Sequence, residues 1–246
     1  MPLSILKKLF TIPEHKKSVA FKGLNLPVVR SNEGLADNNT YLQSGLEQIA
    51  TLRRFNLLDD ASTILDFGCG QGRLANSLLY AKASLGKYVG VDTQKWPVKW
   101  CKRFIQRRNQ GFQFQHLPAY NARYNTEAKA LKSLPFKAQT FDLIFLNSVF
   151  SHMLSSDIDF YLREFYRVVK PGKALYLTAF IEENVPPETE NPSGYFGGGH
   201  QPLTRVRYEK QYFMNLIEKN GWEVRHFGHR EIKRTGQSVV IARAQK

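Results

Sequence analysis

The chain has 246 residues, of which 42% are hydrophobic and 23% charged, a composition typical of a folded globular protein and not of a disordered one. It contains no apolar run near the roughly 20 residues of a membrane-spanning helix, and its first ten residues lack the apolar stretch of a secretory signal. With only two cysteines, Cys69 and Cys101, a disulfide framework is not expected, and the reducing cytoplasm is the expected location.

The formal net charge of +14 predicts attraction to anions such as nucleic acid, an anionic lipid surface or a phosphorylated substrate. The basic residues occur in short clusters along the chain, without a long basic tail or an RNA-binding aromatic signature. A solvated basic surface with no partner explains the charge equally well. Charge alone therefore selects no partner.

We predict a basic N-terminal extension over residues 1–37 and one domain over residues 38–246. In the extension, Leu3, Leu6 and Phe10 have the spacing of one face of a short amphipathic helix. Such a face can contact a membrane surface, although packing against the domain or fraying is the more common outcome.

From position 63 onward, short apolar runs alternate with amphipathic stretches. The predicted strands are 63–67, 88–91, 112–117, 141–147, 174–181, 224–227 and 238–242. The predicted helices are 38–57, 73–83, 98–108, a short one at 127–134, 157–169 and 208–219. This alternation predicts an α/β fold with a doubly wound, seven-stranded, mostly parallel sheet. The last two strands are too close in sequence for a helical crossover, so the last strand is expected to be antiparallel.

One long segment, at about 182–207, interrupts this pattern with four prolines and a glycine-rich run at 194–200. It is longer than an ordinary connection between a strand and a helix. We therefore expect it to be a mobile loop that covers a site as a lid.

A glycine-rich turn follows the first strand of the domain. Gly68, Gly70 and Gly72 allow the backbone to turn tightly and to approach a ligand closely. Dinucleotide-binding turns are similar, and a register that starts at Gly70 fits their looser form. That register, however, places Asp66 and Gly68 inside a strand, where both are poor residues. With Asp66 at the strand end, its carboxylate would repel a pyrophosphate but can bind an ammonium group, directly or through water.

A second carboxylate, that of Asp92, comes 20 residues after Gly72, at the end of the second strand. A carboxylate at this position can accept hydrogen bonds from both hydroxyls of a ribose. The ribose of a dinucleotide could also bind this carboxylate. Asp92 therefore indicates a ligand that contains a nucleoside, and it does not distinguish between cofactors.

With these motifs the chain, over roughly residues 40–244, resembles the class I S-adenosylmethionine-dependent methyltransferase family. It is most similar to a bacterial subgroup often considered with glycan and natural-product tailoring enzymes. The motifs shared with that subgroup are Trp100-Cys101, Tyr124-Asn125, 148–153, 161–164, 167–172 and 237–240. The resemblance implies S-adenosylmethionine as the cofactor. The expected cofactor-binding residues are Asp66, Gly68, Cys69, Gly70, Gly72, Asp92, Thr93, Ala119, Tyr120 and Asn147.

The chain departs from the family after the third strand, where members often have an acid that binds the adenine amino group. No acid occurs between His116 and Glu127. We expect backbone groups near Ala119 and packing against Trp96 to hold the adenine instead.

The subgroup resemblance favours O-methylation of a hydroxyl on a sugar, glycolipid or natural product, and the basic charge of the chain is compatible with an anionic acceptor. His152, shortly after the fourth strand, is the first candidate for the general base, and His200 in the glycine-rich run is the second. Each also has an ordinary structural explanation: His152 can pack against a helix, and His200 can face the solvent. Asp157 is a further candidate, but its place at a helix start indicates capping. No pattern of acids, histidines and cysteines indicates a metal site.

Two other functions fit the same motifs. An RNA methyltransferase would account for the basic charge, and a non-catalytic partner protein would keep the fold without turnover. Nucleic acid is the less favoured partner, and the sequence leaves the oligomeric state open.

Overall fold

The structure, a computed structural model, describes residues 14–30, 37–193 and 201–246. The predicted apolar face of Leu3, Leu6 and Phe10 and the candidate base His200 lie outside the described residues.

Strands and helices alternate along most of the described chain. The strands are β1 (Ser18–Phe21), β2 (Leu24–Pro27), β3 (Thr63–Phe67), β4 (Lys87–Asp92), β5 (Phe112–His116), β6 (Phe141–Leu146), β7 (Val169–Glu182), β8 (Glu188–Glu190), β9 (Val206–Glu209), β10 (Trp222–Ile232) and β11 (Gln237–Ala244). The α-helices are α1 (Asn38–Arg54), α2 (Arg73–Tyr80), α3 (Lys95–Phe104), α4 (Ser155–Val168) and α5 (Lys210–Glu218).

The main sheet has the strand order β10-β11-β7-β6-β3-β4-β5. Strands β5, β4, β3, β6 and β7 run parallel to one another, and β11 runs antiparallel to both β7 and β10. The predicted doubly wound, seven-stranded sheet with an antiparallel last strand is therefore confirmed. Because the parallel strands end at the same edge, the loops after β3, β4, β5 and β6 meet there.

Both faces of the sheet are buried. Side chains along β6 alternate between the two apolar clusters: Leu143 and Phe145 join the cluster that contains α1, α2 and α3, while Ile144 and Leu146 join the cluster that contains α4 and α5. Successive residues of a strand point to opposite faces, so a strand covered on both sides has to be apolar throughout. This explains why residues 141–146 are apolar except for Asp142, whose carboxylate pairs with Lys170 and Lys173 near the start of the strand.

The described part of the predicted N-terminal extension packs on the domain. Strands β1 and β2 form an antiparallel hairpin, and Leu26 is fully buried in a small cluster with Tyr41 and Leu42 of α1. The indole Nε1 of Trp100 donates a hydrogen bond to the carbonyl oxygen of Lys17 at 3.0 Å. The hairpin is thus tied to both α1 and α3.

The predicted short helix at 127–134 does not form, and this segment has no regular secondary structure. Side chains of α4 satisfy its backbone instead: Glu164 accepts from the amide of Leu134 at 2.6 Å, and Arg167 donates to the carbonyl oxygens of Leu134 and Phe136. Because buried backbone groups need partners, these bonds replace the ones that a helix would provide.

Several predicted boundaries shift. Strand β7 begins at Val169, directly after α4, and not at 174, and its pairing with β6 is irregular between Val169 and Ala174. The fifth helix begins at Lys210 and not at 208, because Glu209 caps it by accepting from the amide of Tyr212 at 2.7 Å.

The segment at about 182–207 is not simply a loop. Strand β9 pairs in parallel with the end of β7, and β8 pairs antiparallel with β9. The described ends of the predicted lid are therefore held by backbone hydrogen bonds to the main sheet.

Candidate cofactor and acceptor site

The glycine-rich turn between β3 and α2 has the backbone conformation that its glycines allow. Gly68, Gly70 and Gly72 have φ angles of 78°, 51° and 73°, all in the left-handed region. A Cβ on Gly68 would lie 2.5 Å from Val149 Cγ2, and one on Gly72 would lie 2.7 Å from Ile105 Cδ1. Gly68 and Gly72 therefore permit close packing, whereas Gly70 has open space in front of it.

Asp92 fixes this turn to the tip of β4. Its Oδ2 accepts from the amide of Gly70 and its Oδ1 accepts from the amide of Gln94, both at 2.8 Å. A carboxylate oxygen can accept more than one hydrogen bond, so both oxygens can still accept from ligand hydroxyls. Burial raises the pKa of Asp92 above its ordinary value, and the two amides oppose that shift.

A cavity of about 270 Å³ opens at the carboxyl ends of the strands, above the glycine-rich turn. This volume suits a small organic ligand and not just a few water molecules. It is lined by most of the predicted cofactor-binding residues, namely Gly68, Cys69, Gly70, Asp92, Thr93, Ala119, Tyr120 and Asn147. Gly72 does not line it, because it is occupied in packing α2 against the end of α3.

Asp66 also does not line the cavity. Its side chain is buried and accepts a hydrogen bond from the phenol of Tyr88 on β4. Burial raises the pKa of Asp66 to about 7, although the bond from Tyr88 opposes the shift. Its predicted contact with an ammonium group stays a prediction, and this position favours the water-mediated form over the direct one.

The adenine end differs from what we expected. Trp96 does not line the cavity; its ring contacts His15 with the centroids 5.4 Å apart. The amide of Ala119 donates to Leu117 O at 2.7 Å and is thus already bonded. The cavity wall here is formed by Leu117, Ala119 and Tyr120. Apolar contacts are therefore better placed than the Ala119 amide to hold a base.

Polar residues that the sequence did not single out line the other end of the cavity. Arg30, Tyr41, Gln71 and Arg73 all contribute to its wall. The side-chain amide nitrogen of Gln71 is buried and has no hydrogen-bond partner among the described residues. Burial lowers the pKa of Arg73. Gln71 and Arg73 belong to the glycine motif, so the sequence could have indicated them as site residues. Arg30 and Tyr41 come from distant segments, and no motif around them indicates a place in the cavity.

His152 lies in a short 3-10 turn after β6 and lines the same cavity. Its Nδ1 lies 3.0 Å from Leu203 O. Because a carbonyl can only accept, we assign the proton to Nδ1, which leaves the lone pair on Nε2. Burial, aided by the charges of Arg123 and Arg205, lowers the pKa of His152 to about 4. The imidazole is consequently neutral at physiological pH, with an unprotonated Nε2.

Asp157 does not cap α4, as the sequence had suggested. The cap residue is Leu154, and the carboxylate of Glu188 on β8 accepts from the amide of Ser155. Asp157 lies in the first turn, and burial raises its pKa. It does not line the cavity.

Within residues 14–30, 37–193 and 201–246, no cluster of three histidines, cysteines or acids is arranged to hold a metal ion. The same part of the chain contains no helix that is both long and apolar enough to span a bilayer.

Comparisons with known proteins agree with this architecture. Residues 65–177 match the family model described as a methyltransferase domain. An arsenite methyltransferase from Aquipseudomonas alcaligenes is 31% identical over 119 residues, which are 48% of this chain and 33% of that protein. The chain thus spans about a third of the length of this curated relative.

Solved structures share the fold at low sequence identity. A SAM-dependent methyltransferase from Methanosarcina mazei has a TM-score of 0.57 and 20% identity, covering 78% of this chain and 96% of that one. Magnesium protoporphyrin IX methyltransferase from Synechocystis, with SAM bound, has a TM-score of 0.56 and 14% identity, covering 88% and 86%.

The fold is thus that of the class I methyltransferases, as predicted. Residues 65–177 match a methyltransferase domain, and solved S-adenosylmethionine-dependent methyltransferases share the fold, in agreement with the predicted cofactor.

Proposed function

We propose that the protein transfers a methyl group from S-adenosylmethionine to a hydroxyl of a sugar, glycolipid or natural product. The observation that carries this proposal is that one cavity contains both parts of the required machinery. Gly70 and Asp92 line the cofactor part, and His152, a neutral imidazole, lines the same cavity.

The charges along the cavity suit the two ends of this cofactor. Asp92 is placed to accept from the ribose hydroxyls, while Gln71 and Arg73 supply donors for the carboxylate of the methionine part. A guanidinium that burial has desolvated gains from binding a carboxylate, because the anion replaces lost hydration. Leu117, Ala119 and Tyr120 would then pack on the adenine.

Methyl transfer is an in-line displacement. The bond between the methyl carbon and the sulfonium sulfur breaks as the bond from the acceptor oxygen to that carbon forms, and the electron pair stays on sulfur as a neutral thioether. The hydroxyl proton has to leave during attack, and Nε2 of His152 is the group proposed to take it. The rest of the rate enhancement would come from alignment and exclusion of water.

The acceptor pocket is proposed to use the segment at about 182–207 and the N-terminal hairpin. Leu203 holds the imidazole of His152 through its carbonyl oxygen, and Arg30 and Pro27 line the cavity from the hairpin side. The relatives named above act on arsenite and on a porphyrin, so their acceptors differ from each other and support none in particular.

Calorimetry tests the cofactor part of the proposal. We expect S-adenosylhomocysteine to bind, and Asp92→Ala to weaken it about 10- to 100-fold, since hydrogen bonds to a charged group contribute about 1.5–3 kcal/mol. Tight binding of a nicotinamide or flavin dinucleotide, without uptake of S-adenosylhomocysteine, would contradict the proposal.

Transfer of a labelled methyl group to a panel of glycans and natural products tests the reaction. Transfer only to amines or RNA would reject O-methylation. Measurable cofactor affinity without transfer to any acceptor would favour a non-catalytic partner protein.

One observation favours RNA as an alternative acceptor. Residues 95–108, which comprise α3 and the turn after it, contain six basic residues and no acid, and all six are exposed. They are Lys95, Lys99, Lys102, Arg103, Arg107 and Arg108. Phosphate contacts make affinity fall steeply with salt. Steeply salt-dependent RNA binding near physiological ionic strength, lost when these residues are neutralised, would support this alternative.

A further inference from the structure

Two arginines outside the lining of the cavity, Arg123 and Arg205, lie on segments that contact His152, through the ring of Tyr124 and the carbonyl oxygen of Leu203. Nη1 of Arg123 donates to Thr204 Oγ1 at 2.8 Å, and its guanidinium carbon lies 5.4 Å from the centre of the Tyr124 ring. The guanidinium carbon of Arg205 lies 5.9 Å from the ring of Phe180. Neither arginine forms an ion pair among the described residues, and Nε of Arg123 is buried without a hydrogen-bond partner there.

The acids on the neighbouring strand are already engaged. Glu188 accepts from the amide of Ser155, and Glu190 accepts from the amide of Leu203 at 2.7 Å. The sequence of residues 194–200, which precedes Arg205, contains no acid. Among the described residues, neither Glu188 nor Glu190 forms an ion pair with Arg123 or Arg205.

Both arginines are coupled to the candidate base. Tyr124 lies between Arg123 and His152, with its ring 5.5 Å from the imidazole and perpendicular to it. The charges of Arg123 and Arg205 both lower the pKa of His152. A bound anion would neutralise them and raise this pKa, which makes the imidazole a stronger base when the acceptor is present.

We propose that the acceptor carries a carboxylate or phosphate group that binds Arg123 and Arg205, and that this contact places its hydroxyl beside His152. This inference rests on the proposed function and specifies its substrate class. Guanidinium groups suit it because they bind carboxylate and phosphate through paired hydrogen bonds.

The test compares three sugars of similar size: D-glucose, D-glucuronate and D-glucose 6-phosphate. Each is titrated into protein saturated with S-adenosylhomocysteine, and binding is followed by calorimetry and by the NMR signals of the His152 ring. We expect the charged sugars to bind more tightly than glucose and to raise the pKa of His152. Comparison of the carboxylate with the phosphate identifies which anion the site prefers.

Arg205→Gln is expected to weaken the charged sugar about 10- to 100-fold and to leave glucose unchanged, because one charge-assisted hydrogen bond is lost. Arg123→Lys keeps the charge but loses the fork geometry, and should weaken binding less. The matched control is Arg107→Gln, which removes one exposed positive charge from the turn after α3.

Equal binding of neutral and charged sugars, no binding of either charged sugar, or an equal loss for glucose in Arg205→Gln would each overturn the inference. Failure of S-adenosylhomocysteine to bind would instead overturn the proposed function, so the two failures are distinguishable.

Discussion

Asp66 and His152 show how burial moves two side chains in opposite directions. Burial disfavours the charged form of each, so the pKa of Asp66 rises to about 7 and the pKa of His152 falls to about 4. Each shift links protonation to folding, because the unfolded chain has ordinary pKa values. Stability therefore depends on pH between about 4 and 6.5 through His152, and between 3.8 and about 7 through Asp66.

For His152, the folded pKa lies below the unfolded value of 6.5. Between these values the unfolded chain binds more protons, so stability is lost as pH falls from 6.5 toward 4. We expect His152→Asn, whose amide can still donate to Leu203 O, to lose about 2 kcal/mol less than the wild type between pH 7.5 and 5. Urea unfolding at both pH values measures this. Equal losses in both proteins would contradict the assigned burial of the imidazole.

For Asp66, the folded pKa lies above the unfolded value of 3.8. Its stabilising contribution is present below pH 3.8 and is lost as pH rises through 7. Asp66→Asn is therefore expected to stabilise the protein by roughly 2–4 kcal/mol at pH 8 relative to pH 4. Thermal unfolding of both proteins at both pH values is the measurement, and an unchanged difference between them would count against the shift.

At the scale of structural elements, the glycine-rich turn shows two separate limits on substituting a glycine. Gly72 and Gly236 have nearly the same backbone conformation, with φ angles of 73° and 70°. Their surroundings differ, because a Cβ on Gly72 would lie 2.7 Å from Ile105 Cδ1, whereas a Cβ on Gly236 meets nothing within 4 Å. Comparing alanine substitutions at Gly72 and Gly236 therefore separates the cost of backbone strain from the cost of steric crowding.

We expect Gly236→Ala to cost only the left-handed conformation, about 1–2 kcal/mol. Gly72→Ala should cost that plus overpacking, which adds about 1–3 kcal/mol. Denaturant unfolding of the two variants gives the difference directly. If both variants lost the same free energy of unfolding, crowding against Ile105 would contribute nothing to the cost at Gly72.

The structural elements also show how much of the fold and of the candidate site the sequence could predict. Strand and helix positions follow from local periodicity, and the glycine motif with Asp92 locates the cofactor part of the site. The irregular segment at 127–134 and the capping of α4 by Glu188 depend on side chains more than 25 positions away in the chain. Likewise, Arg30 reaches the cavity only because the hairpin packs against α1. The local sequence pattern does not predict such contacts between distant segments.

For the whole molecule, the N-terminal hairpin joins distant parts of the cavity wall. Arg30 and Pro27 line the cavity, and Lys17 is bonded to the indole of Trp100. We expect deletion of residues 1–30 to weaken S-adenosylhomocysteine binding at least about 10-fold, through the lost wall and charge. Arg30→Met removes the charge but keeps a long side chain in the cavity wall, so it measures the contribution of the charge alone. Calorimetry measures both, and unchanged affinity in the deletion would show that the hairpin is dispensable.

The wall of the cavity comes from several stretches of the chain. The glycine-rich turn and Asp92 precede position 121, whereas His152 and the carbonyl of Leu203 that contacts it follow that position. Substitutions after position 121 can therefore change the surroundings of His152 without altering the glycine-rich turn or Asp92. Under the proposed function, such substitutions would change the acceptor while the contacts to the methyl donor at that turn are kept.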